Sequence, residues 1–434
     1  MVENTKKMHY AWLIMIGCCF LAAGTLALTV SVAGVYILPA SQAMGVGPGD
    51  FAMWLTVSGF ASVVALPIYG QLMPRFTKLV TTTAASLMIV GVLLLALSVS
   101  AKMYPTVIVG GILIGLGIPG AFTLTIPTLM GNWFSKKQRG KFLGIATAFS
   151  GAGVFVWAPT FTLLLQNLGV MTALIINAIL MAVLVLPWTL FVFRFKPEEK
   201  GLTPWGTEKE GAADEEANKA LQYGLSASKA FGTVAFWAVF VIVALTGLNM
   251  GYNGMQPAIA TDFLAGSLTP EAAGMLGATM ISVAAVGNLT GKIIYGWLAD
   301  RIGIKVTTII FVVALALCFV IWLVFPVVAM MYVGAYLLGT HNGLISVGYP
   351  LIVRSIFGEK DFSKIYSRLS MISALLGGSA ASIIGYTYQF TGSYQGAVTC
   401  GIALAAIIGI FAIIAMSFIG KVKWDSPAPK KDAT

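Results

Sequence analysis

The chain has 434 residues, of which 58% are hydrophobic and only 10% are charged, and its formal net charge is +10. Soluble domains carry about 25% charged residues, so this composition excludes a large soluble domain. The excess of Lys and Arg lies in connections between apolar runs. There it indicates membrane orientation and attraction to anionic lipid headgroups, and it excludes nucleic acid as a partner.

Twelve apolar runs each have the roughly 20 residues that a helix needs to cross about 30 Å of hydrocarbon. The first six extend over Tyr10 to Pro39, Phe51 to Leu72, Leu79 to Ala101, Tyr104 to Met130, Phe142 to Leu165 and Val170 to Phe193. The second six extend over Phe231 to Phe263, Ala272 to Leu298, Val306 to Phe325, Ala329 to Ile352, Ile365 to Phe390 and Ala397 to Ile419. The sequence predicts an all-α membrane protein with twelve transmembrane helices.

The cations predict the orientation of these helices. All Lys and Arg residues except Lys102 and Lys292, 24 of the 26, lie at the termini, in every second connection or, for Arg368, at the very start of the run that follows such a connection. Short cytoplasmic loops collect Lys and Arg because cations are hard to translocate during insertion. We therefore expect a multi-pass protein of the inner (cytoplasmic) membrane with both termini in the cytoplasm.

Two sequence repeats divide the chain into halves. The segment Gly70 to Arg75 resembles Gly296 to Arg301 at an offset of 226 residues, and Phe134-Ser-Lys-Lys resembles Phe357-Gly-Glu-Lys at an offset of 223. Nearly equal offsets indicate two pseudo-symmetric six-helix bundles. The predicted organisation is an N-terminal bundle over residues 1–193, a charged cytoplasmic linker over 194–229, and a C-terminal bundle with a cytoplasmic tail over 230–434.

Enzymatic chemistry has no support in the sequence. It contains no paired carboxylates within the apolar runs, no nucleophile with a base, no phosphate-binding loop and no metal-ligand spacing among its four cysteines. We expect no enzymatic activity, no metal and no cofactor.

The loop after the eighth run carries the clearest family signature. Twelve spans in two halves resemble the major facilitator superfamily, whose signature between the second and third helix of a half matches Gly296, Asp300, Arg301, Gly303 and Lys305. This resemblance implies that acid and base tie neighbouring helix ends together in one conformation. We expect Asp300, Arg301 and Arg139 to act in gating. In the first half Pro74 replaces the acid and Thr77 the second glycine, so any N-terminal latch must differ.

A narrower resemblance is carried by several short motifs. Phe357 to Tyr366, Tyr388 to Tyr394, Asn132-Trp-Phe134, Arg139-Gly140 and Lys200 to Pro204 together look like the monocarboxylate porter and oxalate/formate antiporter branch. This resemblance implies a carrier of small organic anions. One departure is Gln389, since that branch commonly has an acid there.

Lys292 is the one charged side chain well inside a predicted span. Such a charge costs about 2.5–3.5 kcal/mol on insertion scales, so it needs a reason. It lies eight residues before Asp300, about 12 Å along the helix. In the oxalate/formate carriers a cation of span eight binds the substrate carboxylate, and Lys292 aligns with it. The alternative is a structural lysine whose ammonium reaches the cytoplasmic interface.

Span eleven indicates how many carboxylates the anion carries. The carriers of this branch have a second cation midway along that span, where this sequence places Ser373. An unpaired second carboxylate would be costly to desolvate, so we expect a monocarboxylate.

Further candidates for the cavity wall are polar or aromatic. Asn249, Tyr252, Asn253 and Gln256 share one helical face and either bind substrate or bond neighbouring helices. His341 and Asn342 interrupt span ten, where His341 either relays a proton or packs. Tyr36, Trp54 and Trp157 either form an N-terminal wall or belong to the core.

The sequence thus predicts a secondary transporter that moves a small organic anion by alternating access, through proton symport or anion exchange. We expect a monomer with membrane lipids and the substrate, and protons in the symport case, as its partners. One alternative is a transporter of neutral or aromatic compounds in which Lys292 is structural, and a remote one is a membrane sensor that transports nothing.

Overall fold

The computed structural model describes residues 8–206 and 224–425, and these residues form helices with no β-strand among them. Span 1 comprises Tyr10–Ala22, the π-helical stretch Ala23–Ser31 and Ala33–Met44. The helix Pro48–Ala101 is kinked at Phe76 and supplies spans 2 and 3. Span 4 comprises Tyr104–Ile118, Pro119–Thr123 and Thr125–Trp133. The helix Arg139–Pro187, extended by Trp188–Val192, turns at Gly169 and supplies spans 5 and 6.

The C-terminal half begins after the short helix Ala227–Phe231. Span 7 comprises Val234–Asn249 and Gly251–Phe263, span 8 is Pro270–Ile302, and span 9 is Ile304–Val324. Span 10 comprises Val328–Thr340, Leu344–Gly348 and Tyr349–Phe357. Spans 11 and 12 are Phe362–Thr391 and Gln395–Ser417.

The twelve spans confirm the predicted fold class. Seven helical segments of the described residues are long and apolar enough to cross a membrane, and two of these, with 52 and 54 residues, each fold back to make two spans. The predicted linker is described only in part, because residues 207–223 lie outside the described ranges.

Spans 1, 4, 7 and 10 are the irregular helices of the bundle. Spans 1, 4 and 10 each contain a π-helical stretch, and span 7 is interrupted at Met250. Irregular backbone at membrane depth is tolerated where protein buries it or where it lines a cavity, and π-helical turns often occur at functional sites. These four spans are therefore the first place to look for a binding cavity.

Glycines bring spans 5 and 8 of opposite halves into close contact. A Cβ atom on Gly140 would lie 2.5 Å from Asp300 Oδ1 and 2.9 Å from the Gly296 carbonyl oxygen, and one on Gly144 would meet the Lys292 carbonyl oxygen. Small residues at a crossing let two backbones approach, which is how membrane helices pack tightly. The crossing of spans 5 and 8 is thus a close contact between the halves.

The Lys- and Arg-rich connections meet on one side of the bundle, which we call the basic face. Asp425 lies on this face, where its carboxylate accepts hydrogen bonds from Lys229 Nζ at 2.5 Å and the Ser226 N–H at 2.8 Å. These two donors hold the pKa of Asp425 well below its usual range. The Leu225 N–H donates to the Phe357 carbonyl oxygen at 2.8 Å. The described end of the linker and the C-terminal segment thus clasp the connection between spans 10 and 11.

The crossing of spans 5 and 8 predicts the effect of added volume at Gly144. We expect Gly144→Val to destabilise the protein by about 1–3 kcal/mol, because no space exists for its side chain. The measurement is thermal unfolding in detergent. Gly254→Val is the matched control, because a Cβ on this helical glycine meets nothing within 4 Å. Equal stability of the two variants would contradict the close crossing.

Candidate functional site

A cavity of about 580 Å³ lies between the two halves. Its wall is formed by residues of spans 1, 2, 4, 5, 7, 8, 10 and 11, so all four irregular spans contribute to it. Because both halves form its wall, a relative motion of the halves would change the access of a ligand to this cavity.

The two sides of this cavity differ in chemistry. The C-terminal half contributes the charged, amide and phenol groups, namely Lys292, Asn253, Gln256, Asn288, Asn342, Tyr349 and Tyr366. The N-terminal half contributes small hydroxyls and an apolar surface that includes Leu26, Val30, Leu66, Ile118, Phe122 and Val154. A ligand with one charged end and one apolar end would match this division.

Lys292 is the charged group of the described cavity wall, and its side chain is only 3% exposed. Its Nζ donates to Ser150 Oγ at 2.8 Å and lies 3.4 Å from the Thr147 carbonyl oxygen. Both acceptors belong to span 5 of the opposite half. Within the described residues these neutral acceptors hold the ammonium, and no carboxylate pairs with it. An anionic ligand would supply the missing charge.

Two amide side chains line the same cavity as this cation. Asn288 lies one helical turn before Lys292, and Gln256 lies on span 7. Asn288 Oδ1 and Gln256 Oε1 have no hydrogen-bond partner among the described residues, while Gln256 Nε2 donates to the Asn253 carbonyl oxygen at 3.2 Å. A buried acceptor without a donor is costly, so these oxygens favour a ligand or water in the cavity.

The predicted polar stripe of span 7 is split by the structure. Asn253 and Gln256 line the cavity, whereas Asn249 and Tyr252 do not. The Tyr252 hydroxyl donates to the Ala397 carbonyl oxygen at 2.5 Å, and its ring packs on Phe319. The interruption at Met250 separates Asn249 from the other three residues, and within the second helix Tyr252 is the residue that packs against spans 9 and 12.

Span 10 and span 11 give a similar division. Asn342 and Ser373 line the cavity, but His341 lies outside its wall. His341 is 2% exposed, and neither ring nitrogen has a hydrogen-bond partner among the described residues.

The three candidate aromatic residues of the N-terminal half also lie outside the cavity wall. The Tyr36 hydroxyl donates to the Thr29 carbonyl oxygen at 3.3 Å, and Trp157 Nε1 donates to the Ala23 carbonyl oxygen at 2.9 Å. Tyr36 stacks on Trp54, with ring centroids 6.3 Å apart. Tyr36 and Trp157 therefore bond the π-helical stretch of span 1 from outside the cavity. The apolar side chains of this stretch that line the cavity are Leu26 and Val30.

The halves are joined again at the basic face, in a cluster that we call the gate. Asp300 accepts a hydrogen bond from the Lys141 N–H at 2.7 Å, across the halves. Arg139 Nη1 pairs with Glu359 Oε1 at 2.5 Å, and Glu359 also pairs with Arg354. Arg301 lies over the Trp297 ring, 4.4 Å from its centroid.

Arg354 extends the gate into the N-terminal half. It is 3% exposed, and its Nη2 donates to the Pro127 carbonyl oxygen at 2.9 Å. The gate therefore joins spans 4 and 5 to spans 8 and 10 on the basic face.

Several residues of the cavity and gate were missed by the sequence analysis. Asn288 could have been found from its i, i+4 spacing to Lys292, and Glu359 from its place in the repeated motif Phe357-Gly-Glu-Lys, where the first half has Lys136. Ser150 and Thr147 give no such signal, because hydroxyls are common in apolar helices and only the fold brings them to Lys292.

Comparison with known proteins decides the family. The model of the Major Facilitator Superfamily matches residues 16–382. The chain belongs to this superfamily. It is a multi-pass membrane transporter and not an enzyme.

The curated relatives support a narrower grouping. Monocarboxylate transporter 12 of Mus musculus is 25% identical over 350 residues, which cover 74% of this chain and 68% of that protein. Monocarboxylate transporter 12 of Xenopus laevis is 22% identical over 419 residues, which cover 92% of this chain and 88% of that protein.

Solved structures agree with the fold. The Escherichia coli fucose:proton symporter FucP superposes with a TM-score of 0.68 at 15% identity, and the match covers 94% of this chain and 99% of that chain. At this identity the similarity concerns the fold alone.

The gate predicts the effect of removing the shared acid. We expect Glu359→Gln to open the basic face, because it leaves the buried Arg354 guanidinium without its carboxylate, which costs about 3–5 kcal/mol. Ser363→Cys reports this opening, since Ser363 is buried 3.5 Å from Thr128 of the other half. Alkylation of this cysteine should become at least about tenfold faster.

Glu198→Gln is the control for this prediction, because Glu198 is an exposed acid of the same face. An alkylation rate for Glu359→Gln no faster than that of the control would show that the gate does not depend on this acid.

Proposed function

We propose that this protein is a secondary active transporter that moves a small organic anion, a monocarboxylate, across the cytoplasmic membrane by alternating access. The observation that carries this proposal is Lys292, a cation buried in the cavity between the halves without a carboxylate partner among the described residues. The carboxylate of the ligand would supply the negative charge that the described residues do not place beside Lys292.

One central cation favours one carboxylate. Ser373 lies in the cavity wall at the position where the oxalate/formate carriers have a second cation. A dianion would leave one carboxylate desolvated and unpaired, which is costly. The relatives named monocarboxylate transporter 12 support the same class of substrate.

The remaining wall suggests how the anion lies. Asn253, Gln256 and Asn288 line the C-terminal side of the cavity together with Lys292, and an apolar surface of spans 1, 2 and 4 lines the N-terminal side. The carboxylate would bind Lys292, and the body of the acid would pack on the N-terminal half. Rocking of the halves about this bound acid would then expose it to the other side.

Coupling and orientation complete the proposal. The described cavity wall contains no Asp or Glu and excludes His341, so anion exchange is better supported than proton transfer through the wall. A proton that travels with the anion is the other route.

The basic face is the cytoplasmic face, with both termini on that side, and the arrangement is outward-facing. The carrier acts as a monomer.

A second candidate function rests on one specific observation. Lys292 already has two acceptors in span 5, so the protein alone can hold its ammonium. In that case Lys292 is structural, and the cavity carries a neutral or aromatic compound.

An exchange assay distinguishes the two functions. Purified protein in proteoliposomes is tested with labelled small monocarboxylates, beginning with lactate, and we expect Lys292→Gln to reduce exchange at least about tenfold because a charged hydrogen bond is lost. Lys292→Arg should retain part of the exchange. Unlabelled lactate should compete, and lactamide, which lacks the charge, should not.

Lys305→Gln is the control, since Lys305 is an exposed cation of the basic face. Exchange that is indifferent to Lys292→Gln, or competition by lactamide equal to that by lactate, would refute the anion site and favour the neutral substrate.

A further inference from the structure

Ser150 connects the cavity to the contact between the halves. It lies on span 5, lines the cavity and is 4% exposed. Its Oγ accepts from Lys292 Nζ at 2.8 Å while donating to the Thr147 carbonyl oxygen at 2.9 Å. The hydroxyl is thus oriented by its own helix, with its oxygen available to the ammonium of the opposite half.

This hydrogen bond lies where spans 5 and 8 are closely packed. Gly144, less than two helical turns before Ser150, contacts the Lys292 backbone, and Gly140 contacts Gly296 one further turn toward the basic face. Opening the basic face must separate these helices. The bond between Lys292 and Ser150 must then break together with the glycine contacts.

We propose that Ser150, with the Thr147 carbonyl oxygen, is a latch that takes the place of the substrate carboxylate while the cavity is empty. In the empty carrier, opening of the basic face would leave the buried ammonium without its acceptors, so the latch keeps that face closed. A bound carboxylate accepts from Lys292 instead and lets spans 5 and 8 separate. This inference rests on the proposed function, and it adds a residue that couples binding to motion.

The latch has a kinetic consequence. Exchange needs only loaded carriers to cross, whereas net efflux needs the empty carrier to return through the same opening. Loss of one hydrogen bond to a charged group corresponds to about tenfold or more in an equilibrium constant. Without the latch, the empty carrier should therefore open to the basic face about tenfold more often.

The first experiment needs no substrate. Spin labels on Arg75→Cys and Lys305→Cys, at the exposed basic ends of the two halves, report the separation of the halves in a Cys400→Ser background. In the empty protein, Ser150→Ala should raise the fraction of molecules with long label distances about tenfold. Ser150→Thr keeps the hydroxyl, so this fraction should stay close to that of the native protein.

Ser58→Ala is the matched control. Ser58 is also 4% exposed and donates to a carbonyl oxygen three residues earlier, that of Leu55, but it has no role at the crossing of spans 5 and 8. A structural loss common to buried serines would appear in both variants, whereas loss of the latch appears only in Ser150→Ala.

Lys292→Gln provides the second test. If the latch is the bond between these two side chains, Ser150→Ala should add less to the open fraction in the Lys292→Gln background than in the native chain. An equal effect in both backgrounds, or unchanged distances in Ser150→Ala, would overturn the latch.

The second experiment measures transport. Proteoliposomes loaded with labelled lactate are diluted into buffer with or without unlabelled lactate, and Ser150→Ala should raise the ratio of net efflux to exchange about tenfold. A ratio equal to that of the native protein would overturn the latch. Absence of any exchange in the native protein refutes the proposed function instead, and the label distances still decide whether Ser150 holds the halves.

Discussion

The central constraint of this structure is an ammonium placed where hydrocarbon would exclude it. Lys292 is buried, and its acceptors in the described residues are neutral oxygens of the opposite half. Because a charge in the membrane needs partners, the position of this side chain ties the contact between the halves to the content of the cavity. The glycine crossing of spans 5 and 8 makes this tie possible by bringing the two backbones together.

A second pair of constraints acts at the gate. Glu359 serves two guanidinium groups at once, and Arg354 reaches the Pro127 carbonyl oxygen of the other half. The end of the linker and Asp425 clasp the same connection that carries Glu359. Charges at the basic face are thus organised as a connected set, whereas the described wall of the cavity holds a single cation. Under the proposed function, the first arrangement stabilises one conformation and the second responds to a ligand.

The sequence predicted the fold well because the requirements of membrane insertion determine the local composition of the chain. Apolar runs of sufficient length predict the number of spans, and alternating cations predict their direction, without knowledge of any contact. The site was predicted only in part. Lys292, Asn253 and Gln256 were predicted because polar groups in apolar runs are visible in sequence, but Asn249, which precedes the interruption at Met250, and Tyr252, which packs on Phe319, do not line the cavity.

What the sequence could not supply is the partner of Lys292. Ser150 and Thr147 lie 142 and 145 residues away along the chain, in a helix whose hydroxyls resemble many others. Only the packing of spans 5 and 8 selects them. A lysine bound by a carboxylate would form a permanent ion pair, and its release would be costly inside the membrane. A lysine bound by a hydroxyl is held more weakly, so a carboxylate ligand can replace that acceptor. Under the proposed function, the neutral partner is therefore what makes Lys292 suitable for reversible binding of a carboxylate.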